Sequence, residues 1–122
     1  MSTFKIGKLF VVTLWAPNIS ESLHFYRDVL GLNLLPHHEG QPAFTVGDEI
    51  HLTIRKGKPA LVENASPFPV IAFQTANLEH AIQHLQAHNV KMVGDIVTKP
   101  SARYCMFHDP AGNLLEIAEL SN

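Results

Sequence analysis

The stretch that decides the fold is Phe107-His108-Asp109-Pro110-Ala111-Gly112-Asn113-Leu114-Leu115-Glu116-Ile117, near the carboxyl end of the 122-residue chain. It places Pro110 and Gly112 where a tight turn needs one fixed and one permissive backbone position. The flanking runs are typical of strands. The pattern therefore predicts two strands, at 102–108 and 113–120, whose register is set by the turn.

The residues before this hairpin predict three more elements. Asn77 follows a strand at 70–74 and can cap a helix that ends near Asn89, after which a strand at 90–97 is expected. The helix repeats apolar residues at helical spacing, which predicts that they face the core: Leu78, Ala81, Ile82 and Leu85. The second half of the chain therefore has the order βαβββ.

The first half of the chain has the same order of elements. A strand at 9–16 ends at a Pro-Asn pair, and Asn18 or Ser20 can cap the helix that follows and stops at Gly31. Its apolar residues again recur at three- and four-residue spacing: Ile19, Leu23, Tyr26, Val29 and Leu30. Three short strands are predicted after the helix, at 32–37, 42–46 and 49–55.

The two halves indicate an internal repeat. One offset places Val11 on Val70, Asn18 on Asn77 and Leu23 on Ile82, and a slightly larger offset places His51 on Glu116. We therefore expect two βαβββ modules, at about 8–57 and 69–120. A Pro-rich linker at about 58–68 joins them into a single domain over residues 1–122.

Composition excludes several classes of protein. With 46% hydrophobic and 16% charged residues the chain is globular. The formal charge is −2, and the only basic cluster lies at 55–58, so nucleic acid is not an expected partner. No apolar run approaches the length of a membrane span. The single cysteine, Cys105, cannot form an intrachain disulfide, which favours a cytoplasmic location.

Two segments resemble motifs of the vicinal oxygen chelate superfamily, which includes glyoxalase I, extradiol dioxygenases, fosfomycin-resistance transferases and bleomycin-binding proteins. Residues 22–32 are similar to its FYxDxLG helix end, and residues 107–117 to its DPxGNxxE hairpin. The resemblance covers nearly the whole chain. It implies an α+β fold in which two tandem βαβββ modules form a curved, cup-shaped mixed sheet with helices outside. It also implies a homodimer in which the partner completes each cup.

Metal-dependent members of this superfamily hold their ion at four strand positions, which the resemblance places on Val11, His51, Val70 and Glu116. Valine has no lone pair to donate, so a full four-ligand site is not expected and no metal ligands are assigned. His51 and Glu116 could still hold Ni, Zn, Mn or Fe weakly, as a mixed imidazole and carboxylate pair.

Alternation along the strands predicts the residues that face the cup. Glu116 and His51 are the candidate catalytic residues, and Glu116 is suited to removing a proton α to a carbonyl. The candidate ligand-binding residues are Trp15, Thr53, Arg55, Gln74 and Arg103. Alternatives stay open, because Trp15 could be ordinary packing and either arginine a solvated rim charge. His80, His84 and His88 form a helical stripe that we expect to be solvated.

The sequence therefore leaves two functions open. The first is a metal-free protein that binds a small molecule in an apolar cup, as bleomycin-resistance proteins do. The second is a metal-dependent lyase or isomerase that resembles glyoxalase I, with Glu116 as general base. An extradiol dioxygenase needs a site of two histidines and one carboxylate, and the two valines argue against it.

Overall fold

A computed structural model describes residues 4–36, 43–59 and 70–121. In chain order its elements are β1 (Val11–Ala16), α1 (Ile19–Leu23), a π-helical turn (His24–Val29), β2 (Ala43–Gly47), β3 (His51–Lys56), β4 (Ile71–Gln74), α2 (Leu78–Ala87), β5 (Met92–Thr98), β6 (Ala102–His108) and β7 (Leu114–Leu120). The predicted α+β class is confirmed.

The strands form two mixed sheets, one from each half of the chain. The first sheet has the order β1-β3-β2 and the second the order β4-β7-β6-β5. In both, the strand before the helix runs parallel to the last strand of its module, and the other neighbours are antiparallel. A parallel pair needs a long crossover, which the helix supplies in each module.

The strand predicted at 32–37 is reduced to one bridge among the described residues. Leu34 pairs with Val46, and the backbone N–H of Leu35 donates to the Thr45 carbonyl at 2.8 Å. Within residues 32–36 the backbone bonds to β2 are made by Asn33 and Leu35 alone, so no full strand forms there. Within the described ranges the first sheet therefore has three strands rather than the four predicted. Residues 37–42 and most of the predicted linker lie outside the described ranges.

Both helices begin at an asparagine cap. The Oδ1 atoms of Asn18 and Asn77 accept from the backbone N–H three residues later, each at 3.0 Å. The matching caps confirm the predicted offset between the first halves of the two modules. The first helix continues as a π-helical turn, in which the N–H of Leu30 donates to the Phe25 carbonyl. Among the described residues no helix is long and apolar enough to cross a membrane.

The first helix packs between the two sheets and joins their cores. The rings of Tyr26 and Phe44 lie 6.3 Å apart on the side of the first sheet, and those of Phe25 and Phe107 lie 6.3 Å apart on the side of the second. Phe25 and Tyr26 also make an edge-to-face pair at 5.1 Å, which is a favoured aromatic geometry. The core of buried residues is therefore continuous across both modules.

A buried polar network ties the first helix to the turn at 109–113. Asp109 is 4% exposed and accepts from the Tyr26 hydroxyl at 2.6 Å. It also accepts from the backbone N–H groups of Ala111 and Asn113 and from Nδ2 of Asn113. A buried carboxylate is tolerated when its oxygens are bonded in this way. The hydrogen bond from Tyr26 thus holds the turn at 109–113 against the first module.

Candidate functional site

Each sheet has one face covered by a helix and one face left open by the described residues. In β3 the alternate residues Leu52 and Ile54 are buried, while His51 and Thr53 between them are half-buried. In β7 Leu115 and Ile117 are buried on the covered side and Glu116 is half-buried on the other. The side chains of a strand alternate between faces, so the predicted cup residues fall largely on the two open faces.

The open face of the first sheet carries a row of three threonines. Thr53 is the register partner of both Thr13 and Thr45, and the hydroxyls of Thr45 and Thr53 lie 2.9 Å apart. The next row along the strands on the same face contains the register pair Trp15 and Arg55. The face therefore combines hydroxyl groups, one aromatic ring and one cation, a mixture suited to orienting a small molecule.

Trp15 is held at the edge of this face by its surroundings. Its side chain is 45% exposed, and its carbonyl accepts from Nδ2 of Asn113 at 3.1 Å. The indole lies against Gly57, where an added Cβ would approach Cδ1 of Trp15 to 2.6 Å. Gly57 therefore leaves the space that the ring occupies, and the ring remains accessible on its other side.

On the open face of the second sheet, Glu116 lies on the interior strand β7 between two apolar neighbours. Its register partners are Ala72 of β4 and Met106 of β6. The next row along the sheet consists of Gln74, Ala118 and Tyr104. Glu116 forms no ion pair with another described residue. A half-buried carboxylate among apolar groups is a candidate for function.

The predicted equivalence of His51 and Glu116 does not hold in the register of the strands. The first pairs with Val11, whereas the second pairs with Ala72. Ala72 precedes the cap Asn77 by the same number of residues as Thr13 precedes the cap Asn18, so the two occupy corresponding positions. Thr13 pairs with Thr53. Thr53 rather than His51 therefore occupies the position that corresponds to Glu116. Strand pairing determines this correspondence, and the spacing along the chain does not reveal it.

The donor chemistry of these positions does not fit a four-ligand metal site. Val11 and Val70 have no lone pair, and Ala72, which the register places beside Glu116, has none either. His51 and Glu116 lie in different sheets. Within residues 4–36, 43–59 and 70–121, no three His, Cys, Asp or Glu side chains are grouped so that they could hold an ion.

Arg103, a candidate clamp for an acidic ligand or a solvated rim charge, lies on the covered face of the second sheet. It is the register partner of Glu119, and its guanidinium donates to Glu119 and, through Nη1 at 2.6 Å, to Glu79 of α2. Hydrogen bonding to Arg103 lowers the pKa of Glu79 from 4.5 to about 2. The guanidinium is thus engaged in joining α2 to β7, and this placement does not support a ligand-clamping role.

The histidine stripe of α2 and the single cysteine were also considered in the sequence, and the structure gives the surroundings of both. His80, His84 and His88 are all exposed, as expected, and Nε2 of His84 also donates to the Val29 carbonyl at 2.7 Å. Cys105 is buried, and burial raises the pKa of its thiol. A thiol with a raised pKa is a poor nucleophile. The expectation of an inert cysteine is therefore supported.

Three residues of the open faces were not among the predicted site residues. Thr45 lies beside Thr53, Met106 beside Glu116, and Tyr104 in the neighbouring row. Period-two alternation applied to the strands at 42–46 and 102–108 would have placed them on these faces. Alternation was applied only to the first and last strand of each module, and these three residues lie on the strands between them.

With the fold and these faces described, comparison with known proteins identifies the family. The family model described as the Glyoxalase/Bleomycin resistance protein/Dioxygenase superfamily matches residues 8–117. The chain belongs to this superfamily. The resemblance inferred from the helix end and the hairpin is therefore confirmed.

Solved structures of the same fold include proteins with different activities. An antibiotic-binding protein from Streptomyces sp. CB03234 is 20% identical, with a TM-score of 0.75 over 98% of this chain and 100% of its own. A lactoylglutathione lyase from Agrobacterium tumefaciens is also 20% identical, with a TM-score of 0.68 over 93% of this chain and 94% of its own. A superfamily member from Sphaerobacter thermophilus has a TM-score of 0.75 at 20% identity, over 93% and 98%. At this identity the likeness concerns the fold alone.

Proposed function

We propose that this protein binds a small molecule on its open sheet faces without a four-ligand metal site. The proposal rests on the side chains that stand at the family's metal-ligand positions. Those positions on the first strands are Val11 and Val70, and the register partner of Glu116 is Ala72, so none of the three can bind a metal. What those faces offer instead is an aromatic ring, hydroxyl groups and few charges. This is the composition of a small-molecule pocket.

The class of ligand follows from the groups at the edge of the first sheet. Trp15 offers an accessible aromatic ring beside the cation of Arg55, with the threonine row next to both. Aromatic stacking together with a guanidinium favours a planar molecule that carries an acidic group. Glu116 on the second sheet would disfavour a second negative charge near it.

The site is proposed to be completed in a homodimer. Large apolar side chains are exposed on or near β1 in the single chain, among them Phe10 at 65% and Trp15 at 45%. Exposed apolar groups at a sheet edge are typical of an interface, and a second copy would cover them. A cup closed in this way would exclude water from the ligand.

Trp15 provides a direct test, because it is the only tryptophan in the sequence. Titration with 4-nitrobenzoate, a planar acid that quenches indole emission, is expected to quench Trp15 in a saturable manner, unchanged by a metal chelator. Arg55→Gln should weaken binding about tenfold, the typical effect of losing a charge-assisted contact. Lys99→Gln, a charge change at an exposed residue, is the matched control. Quenching that never saturates contradicts the proposal.

The alternative is a metal-dependent lyase or isomerase with Glu116 as general base. The half-buried position of Glu116, which forms no ion pair within the part of the chain that the structure describes, favours it. Tag-free protein is dialysed, and Mn, Fe, Ni and Zn are titrated into the wild type, Glu116→Gln and His88→Asn. Stoichiometric binding that only Glu116→Gln abolishes would support the alternative and overturn the metal-free proposal. Binding lost only in His88→Asn would be adventitious capture by the helix stripe.

A further inference from the structure

A cavity of about 370 Å³ lies between the two modules, on the covered side of the second sheet. Its floor includes Phe73, Phe107 and Ile117, and its walls come from the end of the π-helical turn and from α2. Ile117 follows Glu116 along β7, so the two side chains point to opposite faces of the sheet. Gln74 also borders the cavity, but it alternates with Phe73 along β4, so its side chain points to the open face. The cavity therefore lies on the opposite side of the sheet from the open face that carries the proposed function.

The size and lining of this cavity suit a small ligand. Protein interiors are normally packed with few voids larger than a water molecule, whereas this volume lies in the lower part of the range for ligand pockets, about 300–1,000 Å³. The most buried lining residues, Phe107 and Leu85, are 0% and 3% exposed. One aromatic ring would cover this apolar floor and remove it from water.

His84, an exposed residue of α2, places a polar group of defined chemistry at the rim of the cavity. Its Nε2 lies 2.7 Å from the Val29 carbonyl, which can only accept, so Nε2 carries the hydrogen. In the neutral ring Nδ1 is then an acceptor, and it bonds to no group of the described residues. The hydroxyl of Thr75, also on the wall, is already engaged with the backbone of Asn77. His84 is thus the wall group suited to accept from a ligand.

We propose that this intermodule cavity binds an uncharged molecule built on a single aromatic ring with one hydroxyl group. The ring lies on Phe73, Phe107 and Ile117, and the hydroxyl donates to His84. Such a ligand contacts the end of the first helix and α2 together, so its binding stabilises the packing of the two modules. The site stands whether or not the open faces bind a ligand of their own.

The test titrates 4-bromophenol into ¹⁵N-labelled protein and follows the backbone amide signals. Saturable shifts are expected around the cavity, at Val29, Leu30, Thr75, Ala81 and Leu85. Ala81→Leu fills the cavity and should weaken binding at least about tenfold, the scale of overpacking penalties. Ala87→Leu makes the same change at an exposed position of α2 and should bind as the wild type does. Equal weakening in both variants would overturn the proposal.

Two further measurements keep the result decisive if Ala81→Leu folds poorly. Anomalous scattering from bromine in crystals soaked with 4-bromophenol should place the ring against Phe107. Bromobenzene, which lacks the hydroxyl, should bind about two- to tenfold more weakly, the value of one hydrogen bond. Shifts centred on Thr53 or Glu116, bromine on an open face, or no saturable binding would each overturn the proposal. Quenching of Trp15 by 4-nitrobenzoate is read separately, so failure of one site is distinguished from failure of the other.

Discussion

At the scale of single residues, Tyr26 and Asp109 show how one contact joins distant parts of the chain. The two residues are separated by 83 positions, yet the phenol donates to the carboxylate at 2.6 Å inside the core. Burial, then the neighbouring carboxylate, raise the pKa of Tyr26, so the phenol stays protonated and continues to donate. The remaining donors to Asp109 come from its own turn, which leaves Tyr26 as the link to the first module.

Tyr26→Phe keeps the ring and removes only this donor. We expect the free energy of unfolding to fall by about 1–3 kcal/mol, the cost of a lost hydrogen bond to a buried charged acceptor. Because the folded-state pKa of Tyr26 is raised, its contribution is lost as the pH rises above the ordinary tyrosine pKa of about 10. The difference between wild type and variant should therefore shrink at high pH. Urea unfolding at several pH values measures both effects.

Tyr104→Phe is the matched control for this prediction. It removes the same hydroxyl from a half-buried tyrosine whose oxygen bonds to no other described residue. The free energy of unfolding should change by no more than about 0.5 kcal/mol, the usual effect of a substitution away from a special contact. Equal losses in both variants would show that the bond to Asp109 contributes nothing specific.

At the scale of elements, a charged cluster fixes α2 against the second sheet. The guanidinium of Arg103 on β6 donates to Glu79 in the first turn of α2 and to Glu119 on β7. A carboxylate near a helix N-terminus is also favoured by the helix dipole. The cluster therefore positions the helix that covers the second sheet and forms one wall of the intermodule cavity.

Glu79→Gln should change how stability depends on pH. The pKa of Glu79 is lowered from 4.5 to about 2 in the folded state, chiefly by its bond to Arg103. A lowered pKa contributes stability that is present above the ordinary value and is lost as the pH falls toward the folded value. The urea midpoint of the wild type should therefore fall more steeply than that of Glu79→Gln between about pH 4.5 and pH 2.

Glu21→Gln provides the control, since Glu21 lies in the first turn of the other asparagine-capped helix and its carboxylate bonds to no described residue. This variant should keep the pH dependence of the wild type. If both variants flatten it equally, the effect belongs to helix dipoles or net charge rather than to the pair with Arg103.

The elements that sequence patterns predicted best are those with local signals. The hairpin turn at 109–113, the caps Asn18 and Asn77 and the apolar face of α2 were all predicted correctly, because each depends on neighbours a few residues apart. The strand predicted at 32–37 is reduced to the bridge between Leu34 and Val46 among the described residues. The correspondence of Glu116 with Thr53 and the engagement of Arg103 depend on pairing between distant strands, which spacing cannot reveal.

At the scale of the whole molecule, the exposed apolar residues argue for a second copy. Phe4, Ile6, Leu9 and Phe10 are between 65% and 85% exposed in the segment that leads into β1. The Phe10 carbonyl accepts from the N–H of His51 at 2.9 Å, so its backbone belongs to the first sheet although its side chain has no cover. Large apolar groups fixed in this way on a sheet edge favour association between copies.

Phe10→Asp tests this proposal and keeps the backbone bond to His51. Sedimentation velocity over a range of concentrations should show a wild-type dimer, and the variant should dissociate at least about tenfold more readily, as expected for loss of an aromatic anchor. Gln83→Asp introduces the same charge on the exposed side of α2 and should leave the dimer intact. A wild type that remains monomeric, or a Phe10→Asp dimer of unchanged affinity, would contradict the proposed assembly. If the Phe10→Asp dimer keeps its affinity, the dimer interface does not include Phe10, and the copies associate through another surface. The dependence of Trp15 quenching on protein concentration would then show whether ligand binding still requires the dimer.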